Sequence, residues 1–222
     1  IASFPINNFS LKWWIEIFNH RQFVSCLINS IIIGVSVAIV SSITGTMAAI
    51  GLSKISNKSA SLILAIISIP ILLPPLVLGI TLLSFYVSIG VKLGLHTVIY
   101  SHLLFTQPFV ILIIYSRMIT FDYSVIDSAR DLGASPLKAF FTITIPIIQP
   151  VVIGASLLAV ALSVDDFIIT FFTIGTGNTL PTLVFGMMRT SLKPEVNAIG
   201  TIILFMTISS SAIALWITKY RG

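Results

Sequence analysis

The chain has 222 residues, of which 56% are hydrophobic and 9% charged, with a mean hydropathy of +1.09. Soluble domains carry about 25% charged residues, so this chain has too few solvated groups to cover a globular surface, which excludes a soluble enzyme. The formal net charge of +5 comes from 12 Lys+Arg scattered singly between apolar blocks, and without a basic patch nucleic acid is not an expected partner.

The chain opens on Ile1 with no charged leader or signal peptide before the first apolar block, which reads as a fragment or trimmed chain. Residues 1–21 read as an external segment, with Trp13 and Trp14 beside Lys12 as interfacial anchors. Uncharged stretches then mark five spans: 22–53, 59–91, 93–116, 139–164 and 196–218. Each reaches the roughly 20 residues that a helix needs to cross the hydrocarbon core. The single cysteine, Cys26, sits in the first of them and reads as a small hydrophobe. In the same span Ser30, Gly34, Ala38 and Ser42 form one row of small residues, and Ser41, Gly45 and Ala49 a second. Such rows let another helix approach closely, and Ala155, Ala159 and Ser163 repeat the device in the fourth span. In the second span Pro70, Pro74 and Pro75 remove backbone donors, so its helix is kinked or interrupted. The chain thus reads as one all-α polytopic bundle over 1–222.

Between the third and fourth spans lies Asp127-Ser128-Ala129-Arg130-Asp131-Leu132-Gly133-Ala134-Ser135-Pro136, continuing through Ile143-Thr144-Ile145-Pro146. It reads as helix, turn, helix: Gly133 suits the left-handed position that ends the first helix. Ser135 caps the second, and Pro136 fits its first turn. Lys54, Lys58, Arg117, Arg130, Lys138, Lys219 and Arg221 fall on this side of the membrane, against Lys12, Arg21, Lys92, Arg189 and Lys193 on the other. The excess places residues 120–146 and the C-terminus in the cytoplasm. Arg130 and Lys138 would meet a partner or anionic lipid headgroups.

A helix running outward from about Pro150 reaches Asp165 and Asp166 after roughly 22–24 Å. Carboxylates at that depth face a cavity, a partner or a substrate. Adjacent residues point about 100° apart, so the two are not expected to serve the same ligand group. They line a pathway through the bundle or belong to a structural ion pair. Residues 167–188 contain the turn-rich run Gly175-Thr176-Gly177-Asn178-Thr179-Leu180-Pro181, so 175–196 is read as an external loop. His102, Gln107 and Glu195 either line a path through the bundle or are polar residues hydrogen-bonded locally, and His96 reads as a loop residue.

The 127–146 stretch resembles the EAA loop of type I ABC importer permeases: Glu-Ala-Ala, three residues, Gly, nine residues, then Ile-x-Leu-Pro. Ala129, Gly133, Ile143 and Pro146 stand in register, while Asp127 replaces the Glu, Ser128 the first Ala and Ile145 the Leu. The resemblance implies that fold, usually with six spans, and a chain that begins here after the first. It implies a coupling elbow of Asp127, Ala129, Arg130, Gly133, Ala134, Ser135 and Pro136, docked on an ATP-binding subunit. It further implies a second permease subunit, an external solute-binding protein, alternating access, and a place in the bacterial inner membrane. The chain itself would bind no cofactor and no metal, ATP being bound by the partner.

Ser101-His102, Pro108-Phe109-Val110, Tyr115-Ser116-Arg117, Ser163-Val164-Asp165-Asp166 and Pro194-Glu195-Val196-Asn197-Ala198 look like the spermidine/putrescine permeases. That likeness makes Asp165, Asp166, Ser163 and Trp13 the expected solute contacts, Trp13 by cation–π attraction. Polyamine permeases tend to carry an acid where this chain reads Leu73-Pro74-Pro75-Leu76. Ferric iron, thiamine and phosphonate therefore stand as alternative solutes. An intramembrane hydrolase or a passive channel is the rival class. The sequence carries neither a Gly-x-Ser-x-Gly nor a His-Glu-x-x-His motif, and a passive channel does not require an elbow of this spacing.

Overall fold

The computed structural model describes residues 12–19, 21–190 and 194–221. Residues 1–11 of the expected external segment, Lys193 and the side chain of Arg221 lie outside the described residues. A short helix α1 (Lys12–Asn19) leads into α2 (Phe23–Leu52). Then come α3 (Asn57–Ile67), α4 (Ile69–Leu72), α5 (Pro75–Ser88) and α6 (Leu95–Ile119). The elbow holds α7 (Ser124–Asp131) and α8 (Pro136–Ala139), and a π turn (Phe140–Thr144) joins it to α9 (Ile145–Asp165). After α10 (Ile168–Thr173) and α11 (Leu180–Thr190), α12 (Glu195–Arg221) ends the described chain.

Among the described residues, four helical stretches are each long and apolar enough to cross a membrane: Phe23–Leu52, Leu95–Ile119, Pro136–Asp165 and Glu195–Lys219. The stretch expected as the second span is interrupted, for a reason its prolines supply. Leu73 is extended (φ −80°, ψ 136°), as the residue before a proline must be, and Pro74 follows at φ −55°, ψ 134°. Pro75 then starts α5 at a position where a missing N–H costs nothing. The 167–188 stretch also differs from a plain loop, since α10 and α11 flank the turn around Gly175. Within the segment expected as an external loop, residues 180–190 are helical.

Packing follows the second small-residue row in full and the first at Ser30 and Gly34, while Ala38 and Ser42 are half-buried. On α2 the buried face carries Ser30, Gly34, Ser41, Gly45 and Ala49, whereas Ile28, Ile32, Val35, Ile39, Ile43 and Met47 are exposed. The small and polar residues share the buried face with Phe23, Ile33 and Val37, while the large apolar residues on the outer face suit lipid as a solvent. An ideal Cβ on Gly34 would lie 3.0 Å from Val164 of α9, and one on Gly45 2.8 Å from Val110 of α6. Ala155, Ala159 and Ser163 are buried on α9 as the spacing requires. The main core joins Ile33 and Val37 of α2, Val98, Val110 and Ile114 of α6, and Ile148 and Ala155 of α9. A second core at the other end of α2 holds Ile17, Phe23, Cys26, Leu180 and Ile199, so Cys26 is the small hydrophobe its setting predicts. Ser30 Oγ accepts from Leu180 N at 3.0 Å and Asn29 Nδ2 donates to Asn178 O at 2.8 Å, which ties the turn before α11 to α2.

These contacts make Gly45 a point of no tolerance. Gly45→Val is expected to destabilise the solubilised protein by about 1–3 kcal/mol, the usual cost of overpacking a close contact. Gly51→Ala, with nothing within 4 Å of the added carbon, should leave the melting temperature unchanged or higher. Thermal melting of the two variants beside the parent checks both.

Candidate functional site

Two regions gather the polar chemistry. The first is the corner where α9 stops. Asp166 is extended (φ −69°, ψ 124°), so the helix ends there, and the chain re-enters helix at Ile168. The corner is held from α6 by His102, whose side chain is 1% exposed. His102 Nδ1 lies 2.7 Å from Ser163 Oγ on α9, and its Nε2 lies 2.9 Å from Thr170 Oγ1 on α10. Nε2 is also 3.3 Å from Asp166 Oδ2. That carboxylate oxygen accepts from Thr170 N at 2.8 Å and Thr170 Oγ1 at 3.0 Å. Thr170 Oγ1 donates to Asp166 and Ser163 Oγ pairs with Nδ1, so both ring nitrogens of His102 have a hydrogen-bond partner.

Polar contacts continue along the same face of α6. Thr97 Oγ1 donates to Thr173 O at 2.7 Å, Ser101 Oγ donates to Thr97 O at 2.6 Å, and Tyr86 of α5 reaches Ser101 Oγ at 3.1 Å. All of these groups are buried. In apolar surroundings an unpaired hydroxyl or ring nitrogen is costly, and this ladder fastens the short α10 and the interrupted α5 to α6.

Beside the corner lies a cavity of about 590 Å³ lined by Asp165, Asp166 and Phe167, by Leu158, Ala161 and Leu162 of α9, by Pro75 and Ile168, and by Thr207 and Ser211 of α12. Asp165 is exposed and makes no hydrogen bond or ion pair among the described residues. The expected solute residues therefore divide. Asp165 and Asp166 share the cavity wall. Ser163 is turned away into the contact with His102, and Trp13 lies on α1 with Lys12 Nζ 5.4 Å from its ring centroid. Neither Ser163 nor Trp13 lines this cavity. His102 is hydrogen-bonded as expected, but across three helices rather than locally, and Thr170 had no part in the sequence reading. Gln107 reaches across to α2, its Nε2 donating to Thr44 Oγ1 at 2.9 Å.

The second region is the elbow. Gly133 has φ +86°, in the left-handed region that its position predicts. Gly133 N donates to Arg130 O at 2.9 Å and Ala134 N to Ala129 O at 3.0 Å. These two bonds form a Schellman motif closing α7. Ser135 Oγ accepts from Lys138 N at 3.3 Å, capping α8, and Pro136 occupies its first turn. A hollow of about 650 Å³ is lined by Asp127, Arg130, Asp131, Gly133, Ala134, Ser135 and Pro136, so all the expected coupling residues except Ala129 meet at one concavity. Tyr123 OH sits 2.8 Å from Ser53 Oγ and anchors the elbow to the end of α2. Asp122, hydrogen-bonded to the Ser124 side chain and backbone N–H, keeps its carboxyl below the usual carboxylate range.

Lipid-facing isoleucines, small-residue seams and a protruding elbow between two spans define a polytopic membrane protein. Residues 28–220 match the family of binding-protein-dependent transport system inner membrane components, and the chain belongs to it. It is therefore a multi-pass protein of the inner membrane. It is 36% identical over 203 residues to the putrescine transport system permease protein PotI of Escherichia coli, covering 88% of this chain and 72% of the relative. It is 29% identical over 212 residues to the spermidine/putrescine transport system permease protein PotC of Haemophilus influenzae, covering 95% and 82%. Among solved structures, a bacterial alginate ABC transporter shares the fold with a TM-score of 0.70 at 14% identity, over 94% of this chain and 81% of that one. The methionine ABC transporter MetNI, in inward-facing conformations, does so with a TM-score of 0.65 at 15% identity, over 91% and 99%.

The elbow geometry gives a sharp expectation. An ideal Cβ on Gly133 meets nothing within 4 Å, so only its backbone conformation resists substitution. Gly133→Val should cost about 1–3 kcal/mol locally and abolish slow hydrogen exchange at the Gly133 and Ala134 amides. Gly133→Asn, which tolerates a left-handed backbone, should retain most of that protection.

Proposed function

We propose that this subunit carries polyamines of the spermidine/putrescine class across the membrane by alternating access, driven by ATP-binding subunits that dock on the elbow. The observation that carries the solute assignment is the exposed carboxylate of Asp165 on one wall of the 590 Å³ cavity. Carboxylates at the end of a transmembrane helix attract alkylammonium groups and repel an anionic phosphonate. The permease relatives named for putrescine and spermidine support the same solute class.

The elbow supports the coupling assignment through its apolar surface. Leu132 is 91% exposed and Leu137 68% exposed, among charged residues of a segment outside the spans. Two leucines presented in that way suit burial against a partner protein, each contributing about 1.5–3 kcal/mol when covered. The elbow continues directly through the π turn into α9, so movement of a docked ATP-binding subunit is passed to the helix that ends at Asp165.

Uptake of labelled spermidine and putrescine by proteoliposomes holding the full complex tests the reading. The parent should accumulate both only with ATP. Asp165→Asn should raise KM by about tenfold, the equivalent of ~1.4 kcal/mol of lost attraction. ATP-dependent uptake of a different solute, with none of either polyamine, would overturn the solute assignment.

A further inference from the structure

The two acidic neighbours have different jobs. We propose that Asp166 and His102 form a latch that fixes the α9–α10 corner as positioning residues, leaving Asp165 as the carboxylate that meets the solute. The role of Asp165 rests on the polycation reading above; the latch does not.

Bonding and exposure separate the pair. Asp166 Oδ2 receives the Thr170 backbone and hydroxyl donors and stands 3.3 Å from His102 Nε2. A solute amine that drew on this oxygen would have to compete with donors already in place, inside a corner where His102 is 1% exposed. Asp165 is exposed to the cavity and bound to nothing among the described residues, so it can meet an alkylammonium without giving up a bond. The end of the helix between them separates their directions: α9 closes at Asp165, and Asp166 is already extended.

What the latch joins gives it a part in transport. His102 belongs to α6, Ser163 to α9 and Thr170 to α10, and the ring touches all three. The elbow lies at the opposite end of the same continuous helical run, Pro136–Asp165. A displacement entering at the elbow therefore arrives at α10 as one rigid movement only while the corner is held. Releasing it should slow the conformational step without changing the charge that the solute meets at Asp165.

The test uses the complete complex in proteoliposomes, with spermidine and putrescine as probes. Asp165→Asn should raise KM, and more for spermidine, which carries the extra positive charge. Asp166→Asn and His102→Phe should each lower the maximal rate, by about tenfold or more if the link contributes as a charged buried hydrogen bond does, equally for both solutes and with KM little changed. The double variant should be no worse than the poorer single one, because both remove the same link. His102→Gln, which keeps one amide donor, should recover part of the rate. Ser163→Ala deletes a single hydroxyl and keeps the test readable if the ring variants assemble poorly; it should lower the rate less than His102→Phe. A charge-dependent rise in KM for Asp166→Asn, or additive effects of His102→Phe and Asp166→Asn, would overturn the latch. The same double-mutant comparison by thermal melting needs no solute. A complex that transports no polyamine would thus sink the polycation reading, while the melting comparison still decides the latch, additive shifts counting against it.

Discussion

A helix that stops inside apolar surroundings leaves polar backbone groups that water cannot satisfy, and the protein must satisfy them from within. This constraint governs the corner at Asp166. The chain leaves α9 there, and the carboxylate of Asp166 takes up a backbone N–H of α10 while His102 closes the circuit to Ser163 and Thr170. At the interrupted stretch, Leu73 N donates to Pro70 O, and the far end of α5 is fastened to α6 through Tyr86 and Ser101. Hydroxyls and a single imidazole do the work that continuous helix hydrogen bonds do elsewhere. The cavity lies beside this corner, where Asp165 is exposed and Asp166 is hydrogen-bonded.

At the opposite end of α9 the constraint is different. The elbow stands away from the apolar bundle, and its shape is set by local backbone chemistry: a left-handed Gly133, a serine cap at Ser135 and a proline at the first turn of α8. It is fastened to the bundle by the Ser53–Tyr123 contact and by the buried Phe121. Between elbow and corner runs one helical element containing a π turn, followed by Pro146 and Pro150. Proline at 146 cannot donate to the carbonyl four residues back, and the shifted register of the preceding turn, where Ile145 N donates to Phe140 O, fits that missing donor.

Much of this was legible in the sequence wherever the determinant is local. The uncharged stretch 22–53 became Phe23–Leu52, because lipid requires a run without charges and a helix ends soon after one appears. Gly133, Ser135 and Pro136 were legible because left-handed backbone, capping and a first-turn proline are properties of single residues. The corner was not. His102 and its partners are 61 and 68 residues apart, and nothing in a local reading brings them together. The six-residue α10 is too short for a periodicity to declare itself. The trace that was present is the recurrence of Thr97, Ser101, His102 and Thr106 among the apolar residues of α6, all four of them buried. Spacing alone makes Asp165 and Asp166 two positions on one helix, whereas α9 ends at Asp165 and Asp166 is extended, so each has a separate environment.

The claim that the solute passes the wall beneath Asp165 can be tested without touching either carboxylate. Cys26 is the one cysteine of this sequence and is buried, so a cysteine at Leu162, which lines the same cavity, provides a selective reporter once the other subunits of the complex are made cysteine-free. In the full complex, the rate at which a positively charged, membrane-impermeant thiol reagent modifies Leu162→Cys should fall when spermidine is added. A rate indifferent to spermidine, in a complex that still transports it, would place the path elsewhere and contradict the account.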